Sequence, residues 1–238
     1  MLPKEPLRRG DCGSRRAGPR GRPACHPREA FMTRATALKP DGAVLHEIYQ
    51  RRAVRSYQAT PLPDATIRTL LEAAVQAPTA MHREPWAFVV IQNAAQLKRY
   101  SDRAKILLRE EAARHRDLLR VPGVSPSDEH LERLLADPGF NIFYDAGTLI
   151  VICARPMGAF VTADCWLAAE NLMLAACSLD LGTCCIGFAI PLLNTPEVKQ
   201  ELGIPADVTV VAPIIVGVPT GPAPSVSRKP PEILHWAR

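Results

Sequence analysis

The chain has 238 residues, 47% of them hydrophobic and 22% charged. That is the make-up of one globular domain, or two small ones, with apolar material for a sizeable core. Collagen-like, coiled-coil and wholly disordered classes are excluded, and no apolar run reaches the ~20 residues of a membrane-spanning helix. The net charge of +5 resides in residues 1–31, where eight basic side chains (Lys4, Arg8, Arg9, Arg15, Arg16, Arg20, Arg22, Arg28) outnumber three acidic ones (Glu5, Asp11, Glu29). The remainder is balanced, so the basic pI does not point the folded part toward nucleic acid.

Residues 1–31 are rich in Pro, Gly and Arg and lack apolar periodicity. Burial cannot offset their ordering entropy, so disorder is expected. No apolar run follows Arg8-Arg9, which argues against a secretory signal, and the prolines and glycines disfavour an amphipathic transit helix. Met32 is an alternative start. The expected division is a basic tail over 1–40 and one domain over 41–238.

Asp41 precedes GAVLHEIYQRR, in which Val44, Leu45 and Ile48 share a face; this predicts a capped helix. PDATIRTLLEAAVQA repeats the pattern through Ile67, Leu70, Leu71 and Ala74 and ends before Pro78. Residues 86–92 and 146–154 read as buried strands. Residues 94–135 are charged and helical in period, with a break at 121–127. Residues 162–182 predict a long helix, apolar nearly all round from 164 to 179 except at Asp164, Glu170 and Asn171. Such a helix has to be covered on most sides, by its own domain or by a large homodimer interface. Thr195-Pro196-Glu197 predicts a further helix start with proline at its first position, and Gly203 its stop. Residues 208–219 predict a third buried strand, irregular at Pro213. This order predicts an α/β or α+β domain with a covered sheet.

The seven cysteines are odd in number and form no C-x-x-C, so they read as reduced, buried and inert. No G-x-S-x-G, H-E-x-x-H, kinase or P-loop pattern is present, and His82 lacks partners at zinc-ligand spacing. Four clusters remain. RRAVR puts Arg51, Arg52 and Arg55 at a helix end, where three guanidiniums suit a phosphate or an anionic ring; stabilising the helix C-terminus is the alternative. QAPTAMHREPW delivers Thr79, His82, Glu84 and Trp86 beside a strand, as a site or an ordinary connection. LGTCCIGF carries Gly182 and Gly187, which would let backbone N–H groups approach a planar ligand or simply make a strand-entry turn. VSRKPPE places Arg228 and Lys229 beyond the last strand.

Together, in this order, the four clusters resemble the FMN-dependent nitroreductase superfamily. Arg51-Arg52-Ala53-Val54-Arg55 is similar to its R-R-S-x-R, Ala77 to Trp86 to its A-P-S-x-x-N-x-Q-P-W, Gly182 to Gly187 to its G-T-C-W-I-G, and Arg228-Lys229-Pro230 to its final R-K-P. The resemblance spans 44 to about 234. It implies an α+β fold, a mixed central sheet wrapped by helices, and an intertwined homodimer with FMN at the interface. Arg51, Arg52, Ala53 and Arg55 would line the phosphate and the flavin pyrimidine edge, and Arg228 would close over the phosphate. Pro78, Thr79 and His82 would come from the partner chain, and Ile186 and Gly187 would offer backbone N–H groups near flavin N5 and O4.

The implied activity is transfer of hydride from NADH or NADPH through FMN to a small electron-poor acceptor (nitro, quinone or enone) by a ping-pong route. The flavin would carry the chemistry, with no catalytic side chain and no metal, in a cytoplasmic protein with neither a nucleic-acid nor a membrane partner. Ala53 replaces the family's Ser, and His82 and Glu84 replace its Asn and Gln. H-x-E-P-W resembles the iodotyrosine deiodinase branch. That branch's Glu, Tyr and Lys clamp is not evident over 101–140, which has Glu110 and Glu111 but no Tyr and no Lys after Lys105. The stretch is Arg-rich instead (Arg103, Arg109, Arg114, Arg116, Arg120), suiting an acidic substrate, NADPH or mere solvation. Reductive dehalogenation, flavin fragmentation and a low-turnover flavin sensor or store are the alternatives.

Overall fold

The structure is a computed structural model that describes residues 42–114 and 128–238. The expected tail, the Asp41 cap, Cys12, Cys25 and the break at 121–127 lie outside the described residues, as do Arg116, Arg120 and the Arg114 side chain.

Eleven elements follow in chain order among the described residues, besides two 3-10 turns. They are α1 (Ala43–Gln50), α2 (Asp64–Ala74), β1 (Trp86–Ile91), α3 (Ala94–Arg114), α4 (Asp128–Ala136) and β2 (Thr148–Ala154). Then come α5 (Val161–Ser178), β3 (Gly182–Cys185), α6 (Ile190–Leu193), α7 (Pro196–Glu201) and β4 (Thr209–Gly217). The strands form one sheet in the order β1-β2-β4-β3, each neighbour antiparallel. The parallel component is an isolated bridge, Ala53 to Thr183. The α+β fold with helices around a central sheet is as expected.

Every residue of β2 is buried. Successive side chains leave a strand on opposite faces, so Leu149, Val151 and Cys153 enter one core while Ile150, Ile152 and Ala154 enter another. The first core is closed by Leu97, Tyr100 and Ala104 of α3 with Leu192, Leu193 and Val198. The second is closed by Ile67, Leu70 and Ala74 of α2 and by Cys165, Ala168, Ala169, Leu172 and Ala176 of α5. Two apolar faces explain why β2 and β4 read as unbroken apolar runs. The irregularity expected at Pro213 is a register shift beside it: Ile152 faces Ala212, but Cys153 faces Val210.

Of the two readings left open for Trp86, ordinary packing is the outcome: it is 7% exposed and belongs to the second core. No residue of α1 is buried among the described residues, and Val44 (68%), Ile48 (49%) and Tyr49 (62%) are exposed beside α5. On α5 itself Trp166 and Leu167 are also exposed, at 40% and 46%. The apolar circumference of α5 is thus only half used by its own domain.

Candidate functional site

The segment after α1 is a strap laid on the sheet edge. Ala53 bridges Thr183 in parallel, and the Val54 N–H donates to the Thr183 carbonyl at 2.9 Å. Further on, the Gln58 N–H donates to Val218 O at 2.9 Å, the Thr220 N–H to Ser56 O at 3.2 Å, and the buried Tyr57 hydroxyl to Val54 O at 2.7 Å. The strap thereby ties β3 to the chain leaving β4. Gly182 is what lets it lie flat: a Cβ there would stand 2.7 Å from Val54 Cβ. The expected role of Gly182 in admitting a ligand is therefore corrected, because the space over its Cα is filled by Val54.

Beside the strap lies a cleft of about 370 Å³ lined by Arg51, Arg52, Cys177, Asp180, Thr183 and Ser225, among others. Arg52 donates NH1 to Tyr49 O at 2.5 Å and Arg51 O at 2.8 Å, so part of it does stabilise the C-terminus of α1. Arg51 sets Nε 3.4 Å from Glu170 Oε1 of α5. Asp180, at φ 57, adds one carboxylate to the lining. The thiols report the field: burial pushes Cys184 up while Arg55 and Arg51 pull it back. Burial and Glu47 together push Cys177 up to about 11 against Arg51 and Arg52.

Arg55 points elsewhere. It lines a second cleft of about 300 Å³ with Ser56, Tyr57, Phe140, Asn141, Tyr144 and Asp145. Successive residues of an extended strap alternate sides, which separates it from Arg52. Across the Ala53–Thr183 bridge, the charge of Arg55 acts on the thiol of Cys184, two and three positions before Ile186 and Gly187. The expectation for those two amides splits. The Ile186 N–H donates to Pro213 O at 2.8 Å and is consumed by the fold. The Gly187 N–H opens the 3-10 turn Gly187–Ala189, where no intrahelical partner exists, and nothing lies within 4 Å of where its Cβ would stand.

The loop after α2 is strained: Met81 (φ 58), His82 (φ 52) and Glu84 (φ 44) are non-glycine residues in the left-handed region, a state that persists only where the surroundings enforce it. The buried Asp164 of α5 enforces it, its carboxylate accepting the Ala80 N–H at 3.2 Å. Thr79 Oγ1 accepts the Glu84 N–H at 3.5 Å, while Pro78 and His82 are exposed. Within one chain this loop does not join the first cleft. Asp164 and Cys177 are both on α5, about 20 Å apart at 1.5 Å per residue. Arg228 is exposed in the extended segment after β4 and lines neither cleft; Ser225, three residues before it, lines the first.

Sequence reasoning missed Asn141, Tyr144 and Asp145. The left-handed positions there are Tyr144 (φ 51) and Asp145 (φ 55), neither of them the glycine that marks such a turn in a sequence. The described cysteines, Cys153, Cys165, Cys177, Cys184 and Cys185, are free, as expected.

With this geometry in hand, the comparisons with known proteins place the chain. The profile of the Nitroreductase family matches residues 48–218. The chain belongs to the nitroreductase family, and the enzyme class expected from the four motifs stands. An Archaeoglobus fulgidus protein whose name pairs NADH dehydrogenase with NAD(P)H nitroreductase is 27% identical over 180 residues, 74% of this chain and 84% of that protein. The crystal structure of a Bacteroides fragilis nitroreductase with bound FMN is 27% identical, with a TM-score of 0.65, covering 82% of this chain and 98% of that one. A structure of iodotyrosine deiodinase bound to FMN and 3-iodo-L-tyrosine shares the fold at 19% identity, with a TM-score of 0.62 and coverage of 82% and 99%. No helix among the described residues is long and apolar enough to cross a membrane.

Proposed function

We propose that this chain is an FMN-dependent oxidoreductase that takes hydride from NADH or NADPH and passes it to a small electron-poor acceptor of nitro, quinone or enone type. The observation that carries the reading is the strap: it sets Arg51 and Arg52 at one cleft and Arg55 at a second. A phosphate and an electron-rich ring edge are the two anionic ends of an FMN, and guanidiniums suit both. The residues fit that cofactor in two further respects: nothing lies within 4 Å of where a Gly187 Cβ would stand, and Arg55 has no carboxylate partner among the described residues.

When bound, FMN supplies the two-electron chemistry. The chain supplies the rest. Arg51 and Arg52 would hold the phosphate, Arg51 exchanging its Glu170 partner for it. Arg228 joins them from three residues beyond Ser225, a stretch of about 10 Å of extended chain. Arg55 would offer positive charge where negative charge develops on reduction, and Gly187 would offer its amide.

The reading includes a homodimer. The exposed apolar side chains of α1 and α5 supply the surface, and an antiparallel pairing of the two α5 helices about a twofold axis sets one chain's Pro78, Thr79 and His82 near the other's Arg51. Free cysteines with thiols held high by burial suit a reducing, cytoplasmic setting.

The test is direct. Purified protein carries FMN at about one per subunit and bleaches with NADH or NADPH; a colourless protein that takes up no FMN refutes the reading. Arg51→Ala and Arg228→Ala each weaken FMN by about 1.5–3 kcal/mol, the range for hydrogen bonds to charged groups. Undiminished FMN retention in both variants refutes this placement of the phosphate. Steady turnover with an acceptor separates an enzyme from a flavin store, and loss of the flavin under oxygen would indicate fragmentation.

A further inference from the structure

Of the three guanidiniums in Arg51–Arg55, one keeps its donors uncommitted. Arg52 spends NH1 on two carbonyls, and Arg51 sets Nε against Glu170. Arg55 is placed by a ring: its Cζ lies 6.0 Å from the Tyr144 centroid. An aromatic face attracts a guanidinium through its quadrupole while leaving all five N–H donors for a ligand. A carboxylate would consume donors and cancel charge. Asp145 lines the same cleft, but its Oδ1 accepts from Asn141 Nδ2 at 2.7 Å and it forms no ion pair with Arg55.

The ring is held deliberately. Tyr144 and Asp145 are consecutive residues at φ 51 and φ 55, a conformation that non-glycine residues seldom adopt. The loop that imposes it is clamped by buried polar groups of α3. Lys105 Nζ donates to Asp137 O at 3.0 Å and Phe140 O at 2.7 Å, and Ser101 Oγ accepts the Ile142 N–H at 3.0 Å. Phe140 braces Tyr144 edge-on at 5.8 Å between centroids.

We propose that Tyr144 is the positioning residue of Arg55, holding its guanidinium in place and un-neutralised to meet the negative charge of a reduced flavin. The inference rests on the placement of Arg55 at the flavin proposed above. It separates Arg55 from Arg51 and Arg52, which the motif alone treats alike.

The test is the affinity of the holoenzyme for oxidised and for two-electron-reduced FMN, read as the midpoint potential of the bound flavin. Tyr144→Leu and Tyr144→Asn remove the ring, and Asn accepts a φ near 50°, so the second variant keeps the loop backbone. Each is expected to weaken reduced FMN about fourfold relative to oxidised FMN, a fall of about 18 mV at ~30 mV per tenfold for a two-electron couple. Tyr144→Phe keeps the ring and the wild-type potential. In an Arg55→Met background, Tyr144→Leu adds nothing. An unshifted potential in both ringless variants, or an undiminished shift in the Arg55→Met background, overturns the inference. Arg55→Met alone tells the two failures apart. If it leaves the potential unchanged, the placement of Arg55 at the flavin falls and the inference with it. If it shifts the potential and the ringless variants do not, the inference alone falls.

Discussion

Gly182→Ala tests the seam on which the site is built. The added Cβ would sit 2.7 Å from both Val54 Cβ and Cγ2 and 2.8 Å from Cγ1. Those are buried atoms of a residue whose N–H is bonded to Thr183 O at 2.9 Å, so they cannot swing aside without lifting the strap. Overpacking of this kind costs about 1–3 kcal/mol, and loss of the Val54 hydrogen bond adds about 0.5–1.5. Alanine returns about 0.5–1 kcal/mol by restricting the unfolded chain and suiting a strand. The net expectation is a loss of about 1–3 kcal/mol, or roughly 3–10 °C in Tm for a domain of this size. Val54→Ala in the same chain removes two of the three close atoms but leaves the Cβ pair, so it recovers only part of the loss. Thermal unfolding followed by circular dichroism measures both variants. A Gly182→Ala protein as stable as wild type would refute the claim that the strap lies directly on β3, and with it the placement of all three arginines.

Lys105→Met removes a buried ammonium that donates to Asp137 O and Phe140 O and lies 3.3 Å from Asp102. About 2–4 kcal/mol is expected from charged hydrogen bonds, read as a lower urea midpoint at unchanged m-value. The buried thiols set an alkaline limit. Burial pushes Cys153 and Cys185 up to about 11 and Cys165 up to about 12, from a usual value near 9. A raised acid is held neutral in the fold, so its contribution is whole below pH 9 and is lost as pH climbs through 11. Urea midpoints should therefore fall between pH 9 and 11, and Cys153→Ala should flatten that slope. Leu167→Lys places a charge on the exposed apolar face of α5; sedimentation should show monomer where the wild type sediments as a dimer, and a wild-type monomer would refute the assembly proposed above.

The α+β class, the buried strands, the long apolar helix and the four motifs of the family were legible in the sequence. These features depend on local periodicity or on short spacings that survive in any fold of the family. The division of labour within RRAVR was not legible. Arg52 turns back on its own helix, Arg51 meets Glu170, and Arg55 crosses to the second cleft, because the strap pairs with a strand some 130 residues later in the chain.

Gly182 and Ile186 carry the same lesson. As letters they suggested room and donors for a ligand; in the fold, one makes space for Val54 and the other spends its N–H on Pro213. Apolar period and residue type are properties of the chain itself, and they sufficed for the layers and the family. Which donor is already taken, which apolar face is left bare and which arginine remains unpaired are decided by neighbours distant in sequence, so only the packed tertiary structure could assign them.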